Sequence, residues 1–149
     1  MLEGCTNNAL VRKAPIEGLG RAFDPRYGLT GGEDTDFFRR LRHAGGTLVW
    51  SEEALVSEWI SRERATARWL LSRALASGLN YRRIEQQHPD RTQPGLVLAR
   101  QFLLAGGNLQ MAVLLLPLGR RMWFPRLRNA ARAAGQILAF TPYRIAFYC

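Results

Sequence analysis

The stretch FDPRYGLTGGEDTDFFRRLRHAGGTLVWSEEALVSEWISRERATARWLLSR, residues 23–73, decides how this chain is expected to fold. Thr30-Gly31-Gly32 is a tight turn, because glycine reaches backbone conformations that other residues avoid. Glu33, Asp34 and Asp36 then open a helix, with acids in the first turn, where the helix dipole favours negative charge. Phe37, Phe38 and Leu41 give that helix an apolar face, Arg39, Arg40 and Arg42 lie mostly away from it, and Gly45-Gly46 ends it. Thr47 to Trp50 reads as a short apolar strand and Ala54 to Glu58 as a second extended segment. From Ala65 the pattern is helical again, through Trp69, Leu70, Ala74 and Leu75 to Gly78, with Leu79 to Gln87 continuing it.

Upstream, Thr6 to Val11 suggests a strand, followed by turns at Pro15, Gly18, Gly20, Pro25 and Gly28. Downstream, Pro89 and Pro94 mark Asp90 to Gly95 as a linker. Leu96 to Leu118 is largely apolar but is interrupted by Arg100, Gln101, Gly106-Gly107, Asn108, Gln110 and Pro117. A clean membrane span wants ~20 mostly apolar residues, so a helical hairpin lying on or partly in a membrane fits better. Arg120, Arg121, Arg126, Arg128 and Arg132 follow, interleaved with Met122, Trp123, Phe124 and Leu127, the pattern of an interfacial helix on an anionic leaflet. A helix pair packed on the domain or on a second subunit is the other reading of the same residues.

The 149 residues carry a net charge of +9, unevenly spread. Residues 1–61 hold seven Lys/Arg against nine Asp/Glu, whereas residues 62–149 hold fourteen Arg against three acids. All 21 basic residues except Lys13 are arginine, which suits bidentate phosphate contacts but also follows from a GC-rich genome. Cys5 and Cys149 make neither a disulfide framework nor a metal site, and His43 and His88 stand alone, so structural or surface roles are expected for both histidines. The start MLEGCTNNALVRK has no apolar core of a signal peptide. No helix-turn-helix, zinc-ligand or stacking motif accompanies the basic residues, so no nucleic-acid partner is expected.

Gly31-Gly32-Glu33-Asp34, Arg40, Gly45-Gly46, Leu48-Val49-Trp50, Ala54-Leu55-Val56-Ser57-Glu58 and Arg64 occur in a set order. That ordered set resembles the second half of the catalytic domain of a family 2 glycosyltransferase. Thr6 to Lys13 also resembles the strand ahead of that family's acceptor loop, so the resemblance covers residues 5 to about 83. It implies an α/β fold, a partial GT-A (nucleotide-diphospho-sugar transferase-like) domain dominated by helix. Residues 1–88 would be the acceptor-side part, and residues 89–149 a basic helical extension associated with the cytoplasmic side of the cell membrane, peripheral or partly embedded.

The resemblance also implies inverting transfer from a nucleotide-diphosphate donor to a saccharide or lipid-linked acceptor, with Asp34 as the base that takes the acceptor hydroxyl proton. Gly32, Glu33, Arg64, Arg68 and Trp69 are the candidate acceptor- or diphosphate-binding residues. Arg64 and Arg68 at i, i+4 would share a helix face; they either meet the leaving diphosphate, where charge builds, or form a solvated basic face with Arg73. Arg68-Trp69 resembles part of the Gln-x-x-Arg-Trp motif of processive members, but Ala65 stands at the Gln position, which favours single-sugar transfer. Trp50 and Trp59 could stack on a sugar, although a buried core role is expected of both.

Asp34-Thr35-Asp36 spells the Asp-x-Asp pattern of a divalent-metal site, yet it follows a glycine turn and opens a helix, so no metal ligand is assigned here. The complete enzyme is expected to use Mg or Mn on an Asp-x-Asp that these residues lack. The donor-binding unit is expected ahead of residue 5, so the chain reads as a fragment with little transfer activity alone. The alternative is a non-catalytic basic helical module that binds an anionic membrane surface or a partner subunit.

Overall fold

The computed structural model describes residues 6–87 and 93–142. Five α-helices run in order: α1 (Lys13–Glu17), α2 (Glu33–His43), α3 (Ala67–Gln87), α4 (Pro94–Leu114) and α5 (Arg120–Leu138). Short 3-10 turns stand at Thr6–Asn8, Pro25–Tyr27 and Leu116–Leu118.

Among the described residues there is no β-strand, and this overturns the expected α/β, GT-A-like architecture. The three segments expected as strands share one cause. Thr6–Asn8 is a 3-10 turn followed by irregular chain, and residues 46–51 and 54–61 are irregular. A strand is stable only when a neighbouring backbone takes its N–H and C=O groups, and β-propensity does not replace that partner. The first segment reaches the third through a single side-chain contact, Asn8 Nδ2 donating to the Ala54 carbonyl at 2.7 Å, and no ladder forms. Trp50 and Trp59 are consequently 85% and 94% exposed, which corrects the expectation that they are core residues.

The first packed unit gathers on α2. Phe37, Phe38 and Leu41 are buried, with Val11, Ile16, Leu19, Ala22 and Leu48 packed against them. The rings of Phe23 and Phe37 lie 5.2 Å apart, and those of Phe37 and Phe38 lie 5.0 Å apart edge-to-face. The helix starts at Gly31 and Gly32, whose φ of 75° and 100° favour glycine, and it stops at Ala44 before Gly45 at φ 87°.

The second unit is α3, α5 and α4, packed in that order. Gly78 does not end the helix; it lets two backbones touch. A Cβ there would lie 2.0 Å from the Arg132 carbonyl oxygen, and a Cβ on Gly135 would lie 2.0 Å from that of Leu75. Gly106 and Gly107 do not break α4 either, and a Cβ on each would meet open space. Pro94, expected inside a linker, is the first residue of α4, where its missing N–H costs no helical bond. Gln93 is the N-cap of that helix and Gly95 lies in it, whereas residues 90–92 of the expected linker, together with His88, Cys5 and Cys149, lie outside the described residues.

Opposite outcomes are expected from two alanine substitutions, read by urea unfolding with far-UV circular dichroism. Gly135→Ala forces α3 and α5 apart and should destabilise the protein by about 1–3 kcal/mol. Gly106→Ala, in open space, should stabilise it by about 0.5–1 kcal/mol.

Candidate functional site

The site is a glycine turn clamped onto α3. Asp24 caps the Pro25–Tyr27 turn by accepting the Arg26 N–H at 3.0 Å. The chain then bends, with the N–H groups of Thr30 and Gly31 both donating to the Tyr27 carbonyl. Two side-chain bonds and one packing contact hold this loop on α3. Tyr27 Oη donates to Gln87 Oε1 at 2.8 Å, Asn80 Nδ2 donates to the Thr30 carbonyl at 2.5 Å, and Gly32 lies directly against Ile84 and Asn80.

Three acids leave the first turn of α2 and meet three environments. Asp36 is 2% exposed and paired with Arg40 at 2.8 Å, and Arg40 also donates to the carbonyls of Arg21 and Ala22. Asp34 is half-buried; its Oδ1 accepts the Thr35 N–H at 2.8 Å, and no hydrogen bond among the described residues occupies Oδ2. Glu33 Oε2 is buried without a hydrogen-bond partner among the described residues, as is Nη1 of Arg39, whose guanidinium lies 5.6 Å over Tyr81. A buried, unsatisfied carboxylate oxygen is unusual in a native fold.

The metal-like triplet does not fit a divalent ion. Residues two apart on a helix leave it on different sides, and Asp36 is already occupied by Arg40. No group of three or more His, Cys, Asp or Glu among the described residues could hold a metal.

The remaining candidate residues form a separate group. Arg64 lies in the turn before α3, not on it, so it does not share a helix face with Arg68. Its guanidinium instead sits 6.0 Å over the Trp69 ring. Thr66 starts the helix by accepting the Trp69 N–H with its hydroxyl. Arg68 is exposed in the first turn. Twelve residues separate Arg68 from Asn80, which braces the glycine turn, or roughly 18 Å along α3. Gly32, Glu33 and Asp34 thus stand together, and Arg64, Arg68 and Trp69 stand together some distance away.

A cleft of about 490 Å³ next to the clamp was not foreseen; Leu19, Arg21, Asp24, Arg26, Asp36, Arg40 and Gln87 line it. The hydrogen bonds from the Arg26 side chain and N–H, with the nearby Arg21 charge, hold the Asp24 carboxyl well below the usual carboxylate range. Burial pushes the Tyr27 phenol up. The Asp-Pro pair in FDPRY was the available signal for the cap; nothing local marked Asn80 or Gln87.

It is similar to ExoM. This succinoglycan biosynthesis protein, from Rhizobium meliloti (strain 1021), is 41% identical over 107 residues, 70% of this chain and 33% of that protein. The chain thus spans about a third of the length of this relative. A match of that length within 149 residues necessarily includes residues 50–100, with Arg64, Arg68 and Trp69. No protein-family model matches the chain, and no solved structure matches it.

The depressed Asp24 carboxyl gives a pH test. Asp24 stabilises the fold above its unfolded pKa, about 4, and that contribution is lost as the pH falls below it. Urea midpoints should therefore be lower for Asp24→Asn than for the parent at pH 6, with the gap narrowing progressively as the pH falls below about 4.

Proposed function

We propose that the chain is the acceptor-side part of an inverting, family 2-type glycosyltransferase of polysaccharide biosynthesis, with Asp34 as general base. One observation carries this reading. Asp34 stands at a helix start on a glycine turn clamped to α3, with one oxygen held by a backbone N–H and the other open. A base must be positioned before its pKa matters, and this carboxylate is positioned. The similarity to a succinoglycan biosynthesis protein supports polysaccharide as the product class.

The reaction runs as a single displacement. The acceptor hydroxyl oxygen forms its bond to the anomeric carbon while its proton passes to Asp34 Oδ2. The bond from that carbon to the diphosphate oxygen breaks on the opposite face, and the electron pair leaves with the nucleoside diphosphate. Gly32, packed against Ile84 and Asn80, fixes the turn that presents the acceptor side, and Glu33 follows it at the helix start. Arg64, Arg68 and Trp69 bind the part of the ligand that extends away from the reacting carbon, with arginine for phosphate and the indole for a sugar face. No group of His, Cys, Asp or Glu among the described residues could hold a metal, so a divalent ion of the complete enzyme would have to be held by residues outside them. Transfer is placed on the cytoplasmic side of the cell membrane, where nucleotide-activated sugars are available to an enzyme with an exposed apolar helix.

Asp34→Asn, made in the natural-length protein that carries this segment, should lower kcat by about 10²–10⁴-fold with little change in acceptor KM. Asp36→Asn should act differently, lowering thermal stability through loss of the buried Arg40 pair. Equal kcat for Asp34→Asn and the parent would sink the assignment of the base.

A further inference from the structure

The helix α4 is built inside out. Its buried residues are Gln101, 3% exposed, and Ala112, while Asn108 is half-buried and donates to the Leu104 carbonyl of its own helix. Most of its large exposed residues are apolar: Leu96, Phe102, Leu103, Leu109, Val113 and Leu114, with Leu103 at 78%, and Arg100 and Gln110 are exposed beside them. Leu96, Leu103 and Leu114 at i, i+7 and i+18 fall on one line along the helix. Only 11% of the apolar stretch is buried within the fold, so the other described residues leave most of it uncovered. A water-facing helix buries its apolar stripe; one that buries Gln101 and turns most of its leucines outward is made for an apolar surrounding.

The charge of the neighbouring segment identifies that surrounding. After Asp90 the sequence has eight arginines and no acid. Arg120, Arg121, Arg126 and Arg128 are exposed on the first half of α5, near the exposed Met122 of the same helix and Leu116 and Leu118 of the turn before it. Apolar side chains next to an acid-free arginine cluster match an acyl-chain boundary under anionic headgroups. We infer that α4 lies in the plane of an anionic lipid bilayer, its Leu96–Leu103–Leu114 face sunk among the acyl chains and the α5 arginines on lipid phosphates. Although α4 is about 31 Å long, enough to cross, it packs on α5, and α5 packs on α3 through Gly135. A span would draw the arginines of α5 into hydrocarbon. Arg100, the one charge on α4, sits near its start, where its long side chain can reach the headgroups.

This inference deepens the membrane placement proposed above and is independent of Asp34, so loss of vesicle binding with intact sugar transfer would remove the docking alone. The test uses the 149-residue chain and vesicles of phosphatidylcholine with or without 30 mol % phosphatidylglycerol. Binding should be at least about tenfold tighter to the anionic vesicles and should fall with salt. Leu103→Glu should weaken it by about tenfold or more at unchanged helix content, and Arg120→Gln and Arg121→Gln by about fivefold each. Spin labels at Leu96→Cys, Leu103→Cys and Leu114→Cys, with Cys5→Ser and Cys149→Ser, should report one common shallow depth. A deep label at residue 103 with shallow labels at 96 and 114 would mean that α4 crosses the bilayer, which overturns the proposal. Binding to neither vesicle, or equal binding to both, overturns it as well. Self-association that Leu103→Glu abolishes, without vesicle binding, would show that a second copy covers this face.

Discussion

The contact between α3 and α5 is the constraint on which the other packing depends. Two glycines, Gly78 and Gly135, let the helix backbones touch, and any side chain at either position would hold them apart. That contact fixes α3 as the common support of the molecule. Through α5 it carries the exposed apolar helix α4, and through Asn80, Ile84 and Gln87 it carries the loop that starts α2. The proposed reacting carboxylate and the proposed membrane face are therefore two attachments to one helix, and a displacement of α5 on α3 would alter their relative position.

The first turn of α2 shows how three neighbouring acids acquire different roles without any difference in local sequence preference. Successive residues leave a helix about 100° apart, so each carboxylate meets different neighbours. Asp36 enters the protein, where desolvation would be prohibitive without a partner, and Arg40 supplies it while donating to two carbonyls of the preceding loop. Asp34 stays half-buried with one oxygen tied to the backbone. Glu33 places one oxygen in a dry position with no partner among the described residues. Adjacent side chains of one helix turn thus end in three different environments.

Much of α2 was legible in advance because its limits are local: acids open it, glycines bound it at both ends, and Phe37, Phe38 and Leu41 recur at helical spacing. The same holds for Leu79 to Gln87 as a continuation of α3, and for the clash of apolar length with polar interruptions in α4. Residues 47–50 and 54–58 were misread because strand propensity is a local property and a sheet is not. Their backbones find no neighbouring strand, and Trp50 and Trp59 remain exposed because no apolar surface covers them. The pairing of Arg64 with Arg68 failed for a smaller reason: α3 begins at Ala67, so one arginine lies outside the helix.

Residue chemistry alone was enough to single out the glycine turn, the acids of α2 and the basic, apolar character of the segment after Asp90. Which acid is buried, and which glycine touches a backbone instead of breaking a helix, depended on contacts between residues far apart in the chain. Gly78 meets Arg132, Thr30 meets Asn80 and Tyr27 meets Gln87. No local pattern encodes such pairs, because burial and hydrogen bonding are properties of two surfaces brought together. The polarity of α4 shows the same division. Its composition could be read from residues 94–114, but that Gln101 faces α5 and Leu103 faces outward was settled by the one side on which α5 packs.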